Sequence, residues 1–352
     1  MAGFVRASSG RRSGWLGVVL SAAFVLASCA SQPISPAPSI AGPLASSARP
    51  SAEPAVAESP SASLGTPPVP AARGLRIERS AIRLPAGRSR SVALLLGSEI
   101  LVCGGLTAAG TTDSILRINL PAGAIEAHGT LPAPVHDAGG AVLNGVGFIF
   151  GGGRFGPGAT VQRVGANGNA ASSGRLPADR ADLVAVAIPG SLALVGGGTT
   201  TFYDRRVLAT SDGLHFTQIA TLLVGVRYPA VTFDGGRIYV IGGSTASGDT
   251  TAIQAIDPAT GRVQLIGRLP RARSHAAAFV VGGALLIAGG RVAGQAQDSV
   301  LRLDPATGTV RQVGRLPYPV SDLAVAVVGT TAYLMGGESA APLASVVTVS
   351  MT

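Results

Sequence analysis

Six glycine doublets punctuate this chain: Gly104-Gly105, Gly151-Gly152, Gly196-Gly197, Gly242-Gly243, Gly289-Gly290 and Gly336-Gly337. Their first members lie 47, 45, 46, 47 and 47 residues apart in a sequence of 352. Each doublet closes a short apolar run, as in Ile100 to Cys103, Val146 to Phe150 and Ile238 to Ile241. A second marker keeps the same register: Leu84-Pro85, Leu131-Pro132, Leu176-Pro177, Leu269-Pro270 and Leu316-Pro317, with Leu222-Leu223 in the fourth slot. Between the two markers lie an apolar stretch, such as Val92 to Leu96 or Ala276 to Val281, and a turn that often holds Gly. Short apolar runs split by turn residues read as antiparallel strands.

Two further strands finish each unit. In the fifth, Val300 to Leu303 and Val310 to Val313 flank Asp304-Pro305-Ala306-Thr307-Gly308, and the fourth repeats that turn as Asp257-Pro258-Ala259-Thr260-Gly261. Proline presets φ for such a turn and glycine supplies the positive φ that follows. Four strands at this period make one propeller blade. The expected fold is therefore all-β, a six-bladed propeller over residues 75–352 with four antiparallel strands per blade. The sixth unit stops after its third strand, Ser345 to Ser350. Segment 75–83 runs into Arg83-Leu84-Pro85 as the fifth unit runs into Arg315-Leu316-Pro317. It is expected to pair into the last blade and close the ring, which removes two exposed edges.

The doublets, the Leu-Pro starts and the Asp-Pro-x-Thr-Gly turns resemble the kelch-repeat propellers, the superfamily that includes the central domain of galactose oxidase. One departure stands out. Kelch blades usually carry a tyrosine and a tryptophan after the doublet, whereas the sole tryptophan here, Trp15, lies outside the repeats. Small aliphatic residues replace those aromatics.

Residues 1–28 read as an export signal: Arg6, Arg11 and Arg12 form a basic start and Trp15 to Leu26 an apolar stretch too short to span a bilayer comfortably. Leu26-Ala27-Ser28-Cys29 resembles the lipobox of bacterial lipoproteins, which implies a lipid on Cys29 and anchoring at the cell membrane or surface. An ordinary signal peptide with an incidental Cys29 is the alternative. Arg11-Arg12 hints at twin-arginine export, and the route stays open. Residues 29–74, rich in Ser, Pro and Ala without apolar period, read as a disordered tether.

All 27 basic residues are Arg, and the formal net charge is +9. The arginines are spread over all six units, with no basic run and only 4% aromatic residues, which argues against nucleic-acid binding. Cys103 falls in a slot that the other units fill with Phe150, Val195, Ile241, Ala288 and Met335, so it reads as a buried small hydrophobe.

Chemistry is expected at one mouth of the axial channel. The residue six places after each repeat-opening leucine is Arg90, Asp137, Asp182, Tyr228, His275 or Asp322. All are polar or titratable although their flanks are apolar. Arg154, Arg291 and Glu338 follow the doublets nearby, and His136 adjoins Asp137. The plain reading is a solvated rim of salt bridges; the functional reading is a ligand site with one residue per blade. Three Asp with one or two His have cation-ligand chemistry, but no blade supplies a spaced ligand motif, so no metal or cofactor is expected.

Known propeller enzymes give partial matches. Galactose-oxidase-like enzymes need copper ligands and a Cys–Tyr link for which no arrangement is visible. Ser211-Asp212-Gly213-Leu214-His215-Phe216 resembles a single sialidase Asp-box hairpin, which is structural. Sialic-acid mutarotases are the best enzymatic analogue, with Arg90, Arg154, Arg291 and Glu338 able to hold an acidic sugar, by fold analogy alone. The preferred expectation is a surface-anchored module that binds a protein or glycan partner. The competing one is an enzyme acting on a small extracellular sugar at the same mouth.

Overall fold

The computed structural model describes residues 74–351. The proposed signal, the tether and Cys29 lie outside the described residues. Strands, turns and bends account for the regular structure, with no helix among the described residues. Six four-stranded antiparallel blades follow one another. Blade 1 comprises Val92–Leu96, Glu99–Cys103, Ser114–Asn119 and Ala124–Thr130. Blade 2 comprises Gly139–Leu143, Val146–Phe150, Thr160–Val164 and Ala170–Arg175, and blade 3 Ala181–Ile188, Ser191–Gly198, Arg206–Thr210 and Thr217–Thr221. Blade 4 comprises Ala230–Asp234, Arg237–Ile241, Ala252–Ile256 and Val263–Arg268, and blade 5 Ala277–Val281, Ala284–Ala288, Gln295–Leu303 and Val310–Val320.

Blade 6 has Ala324–Val328, Thr331–Met335 and Ser345–Met351, and its fourth strand is Leu75–Arg83. Leu75 pairs with Met351 and Arg79 with Val347, so the two ends of the propeller share one sheet, as the sequence implied. The innermost strand of each blade touches that of the next, and the last touches the first.

The core lies between blades. Six apolar clusters form, each shared by two neighbours: Leu94, Cys103 and Ile115 meet Ile149 and Val164 between blades 1 and 2, and Ile100 and Ile118 meet Ala326 and Met335 where blade 6 returns to blade 1. Alternating strand residues feed the two faces of a blade, so each sheet is apolar on both. Small aliphatic side chains therefore do the packing that large aromatics would otherwise do.

The doublets sit where one blade meets the strand leading into the next. The Gly243 amide donates to the Arg273 carbonyl at 2.8 Å, and the Gly152 amide to the Arg180 carbonyl at 2.9 Å. Gly242 has φ +61°, and a Cβ there would lie 2.2 Å from the Arg273 carbonyl oxygen. Both the left-handed conformation and the crossing chain exclude a side chain.

Four residues after the opening leucine the blades alternate: Arg88, Arg180 and Arg273 in blades 1, 3 and 5, but Val135, Val226 and Val320 in blades 2, 4 and 6. The three arginines are buried. Each donates to the carbonyl of the first doublet glycine in its own blade: Arg88 Nη1 to Gly104 at 3.0 Å, Arg180 Nε to Gly196 at 2.6 Å and Arg273 Nη1 to Gly289 at 2.6 Å. They staple the second strand to the third, through Ser114, Arg206 and Ser299. Burial lowers the Arg180 pKa to about 10, against the pull of Asp204.

Candidate functional site

The chain enters each blade through a residue with positive φ: Arg90 (55°), Asp137 (56°), Asp182 (61°), Tyr228 (51°), His275 (56°) and Asp322 (57°). Left-handed backbone costs a non-glycine residue about 1–2 kcal/mol. The recurrence has a cause. The Asp137 amide donates to Arg90 O (3.2 Å), Asp182 to Asp137 O (2.8 Å), Tyr228 to Asp182 O (3.0 Å), His275 to Tyr228 O (3.0 Å), Asp322 to His275 O (3.0 Å) and Arg90 to Asp322 O (3.1 Å). Six backbone hydrogen bonds thus close head to tail around the axis. The hoop draws the six side chains to one place, where they line a cavity of 120 Å³. Beyond it, the inner strands of all six blades line a channel of 420 Å³ with Ala, Val, Gly, Leu, Pro and Phe residues, and among the described residues its hydroxyls come from Ser91 and Thr232.

The side chains largely satisfy one another. Arg90 Nη1 meets Asp137 Oδ2 at 3.1 Å and its Nε faces Glu338 Oε2 at 3.5 Å. Arg227 clamps Asp182 through Nε and Nη2. Asp322 accepts from Arg291 Nη2 at 3.1 Å and from Ser321 Oγ at 2.7 Å, and lies 2.7 Å from His275 Nδ1. Arg291 also reaches Glu338 Oε1 at 2.9 Å. Tyr228 and His275 stack with ring centroids 3.8 Å apart. Three arginines thus face four carboxylates, with the imidazoles of His136 and His275 beside them.

Burial and the charges of Asp182 and Asp322 push the Asp137 carboxyl up to about 7 against the pull of Arg90. Burial also raises Asp322, but the His275 hydrogen bond and the His275 and Arg90 charges outweigh it and hold this carboxyl below its ordinary value. Burial first, then Asp137 and Asp182, raise the Tyr228 phenol. His136 is lowered by burial and by Arg90; its Nδ1 lies 2.9 Å from Thr111 Oγ1. Two buried atoms, Arg90 Nε and Ser91 Oγ, have no hydrogen-bond partner among the described residues, and both residues line the mouth cavity.

Of the nine residues expected here, Arg90, Asp137, Asp182, Tyr228, His275, Asp322, Arg291 and Glu338 come together. Arg154 does not join the network: it is exposed, with its guanidinium carbon 4.7 Å over the Phe155 ring. Sequence reasoning missed Arg227 and Ser321, which precede ring members and turn back onto them. A signal existed: the residue before each ring member is Ser89, His136, Ala181, Arg227, Ser274 or Ser321, polar in five of six units. It also missed the hoop, although Asp, which tolerates the left-handed region, fills three of its six positions.

The fifth unit decides the relationship to known repeats. Residues 272–317 match the Kelch motif. This kelch match runs from the entry segment carrying Arg273 and His275 through blade 5 to Pro317, and with the six-bladed architecture it supports a kelch-repeat propeller. No curated protein matches the chain.

Proposed function

We propose that this chain is a cell-envelope lipoprotein, held to the membrane by a lipid on Cys29, whose kelch-type propeller is a rigid module that binds a protein or glycan partner at its charged mouth. One observation carries the choice of binding over catalysis: the mouth is closed by its own hoop and ion pairs. Its cavity of 120 Å³ is well below the roughly 300–1,000 Å³ of small-molecule sites, and the larger channel behind it offers no titratable side chain. Arg291 and Glu338 are partly exposed at the rim and are the groups best placed to exchange internal pairing for a partner.

The competing reading, an enzyme acting on a small extracellular sugar, draws support from Asp137. A carboxyl pushed up to about 7 beside His136 is poised for proton transfer near neutrality.

The test is partner capture from intact cells by cross-linking, comparing the parent with Arg291→Ala/Glu338→Ala, alongside sugar-anomer exchange followed by NMR. Binding that the double substitution abolishes, with no sugar turnover, is the expected result. Turnover lost in Asp137→Asn would replace the binding reading with the enzymatic one. Membrane fractionation of Cys29→Ser tests the anchor separately: the variant is expected to leave the membrane fraction.

A further inference from the structure

The loops that follow the doublets on the mouth face do not repeat faithfully. In blade 1 the loop is a small hairpin, Leu106–Thr107 paired with Gly110–Thr111; blade 4 has Ser244–Thr245 with Gly248–Asp249, and blade 5 pairs Arg291 with Ala296. Their tips are Ala108-Ala109, Ala246-Ser247 and Ala293-Gly294. The neighbouring blades 2 and 3 abandon the hairpin and put a phenylalanine in its place. Phe155 in Gly153-Arg154-Phe155-Gly156-Pro157-Gly158 is 92% exposed, and Phe202 after Thr199-Thr200-Thr201 is 53% exposed.

The charges around these rings are mostly positive. Arg154 lies over the Phe155 ring and makes no ion pair among the described residues. Arg205 is exposed, and its Nε donates to the Leu222 carbonyl rather than to a carboxylate. Of the acids of this region, Asp204 is buried and bound to Arg206, and Asp179, beside the Gly153–Gly158 loop, has Arg175 Nη2 4.0 Å from its Oδ1. The two loops therefore offer apolar tips flanked by an excess of cations, Arg154, Arg205 and Arg175 against the one exposed carboxylate of Asp179.

We propose that the tips of blades 2 and 3 seat the propeller on an anionic lipid surface. An aromatic ring that enters the boundary between headgroups and acyl chains loses its costly contact with water, while a guanidinium one residue from Phe155 (Arg154) or three from Phe202 (Arg205) stays at phosphate level. A sugar fits less well. Its hydroxyls need hydrogen-bond partners when they lose water; the Gly153–Gly158 loop around the more exposed ring has no side-chain donor other than Arg154, and the hydroxyls of Thr199, Thr200 and Thr201 belong to the other loop. The inference goes beyond the partner-binding reading and uses none of the mouth network. Seating on blades 2 and 3 leaves Arg291 and Glu338, in blades 5 and 6, on the far side of the mouth.

The test uses the full chain carrying Cys29→Ser, so that no lipid can be attached there, with vesicles of phosphatidylcholine alone or mixed with phosphatidylglycerol. The parent is expected to sediment with the mixed vesicles. Phe155→Ala/Phe202→Ala should weaken that binding at least about tenfold with an unchanged melting temperature. A second readout excludes binding through residues 1–74. In a Trp15→Phe/Phe155→Trp chain, the single indole should shift to the blue and be quenched by brominated acyl chains. Parent-like binding by the double alanine variant overturns the proposal, as does an unquenched indole in chains that nevertheless sediment. So does a parent that ignores both vesicles but is retained on immobilised polysaccharide through the same two phenylalanines.

Discussion

The Asp137 amide donates to the Arg90 carbonyl at 3.2 Å, and the Arg90 guanidinium returns the contact through Nη1 on Asp137 Oδ2 at 3.1 Å. Blades 1 and 2 are thus joined twice at the mouth, by backbone and by side chain. The backbone half of this relationship recurs at all six junctions. The side-chain half varies, with Arg227 on Asp182 at one junction and His275 beside Asp322 at another. The mouth is a constant frame carrying variable chemistry.

Asp137 should make stability depend on pH. Its folded carboxyl is pushed up to about 7, while an unfolded aspartate titrates near about 3.9. Between those values the folded chain holds a proton that the unfolded chain has released, so this group's effect on stability becomes more unfavourable as pH rises from about 4 to about 7. In Asp137→Asn the melting-temperature difference, variant minus parent, is expected to grow over that window and level off above it. A difference independent of pH would refute this assignment.

Doublet glycines and turn glycines should respond differently to alanine. Gly97 and Gly242 have similar φ, +64° and +61°, but a Cβ at Gly97 meets nothing within 4 Å. Gly97→Ala should cost about 1–2 kcal/mol, the backbone term alone. Gly242→Ala also drives a methyl into the Arg273 carbonyl, and roughly 3–5 kcal/mol is expected. Urea unfolding of the two variants measures both, and equal losses would show that the blade crossing contributes nothing.

Removing residues 75–83 should open the ring. The Ser345–Met351 strand loses its partner and Ile77 leaves the cluster between blades 5 and 6. A fall in melting temperature of about 10 °C or more is expected, since several kcal/mol of pairing and burial disappear. The newly bared edge should also promote association, visible by size-exclusion chromatography. An unchanged melt would show that the terminal strand is dispensable.

Thiol titration should separate the two cysteines. Cys103 is fully buried, and burial pushes its thiol up to about 12 although Arg88 pulls the other way. It should be inert to thiol reagents in the native chain. In denaturant, chain isolated from membranes should show one reactive thiol if Cys29 carries a lipid and two if it does not.

The repeat was legible because its markers are local. A doublet needs glycine at two adjacent positions, the opening leucine is buried at every junction, and the period survives in the bare sequence. The closing strand was legible too, since the Arg-Leu-Pro of blade 5 reappears after residue 82. Arg88, Arg180 and Arg273 were not. By residue type they look like surface charges, and only folding shows that each reaches the backbone of its own blade. Arg154 misled in the opposite direction: its place after a doublet matched that of Arg291, but without the hairpin its side chain turns out onto Phe155.

By itself the sequence determined the number of blades, the strands in each, the position of the closing strand and the one ring position per blade at the mouth. These follow from period and pattern, which repeat at short range along one chain. The tertiary structure decided which charges pair, which arginines are buried and which carboxyl titrates near neutrality. Those outcomes depend on distances between residues about 45 positions apart, brought together only when the hoop closes, and on the water that closure excludes.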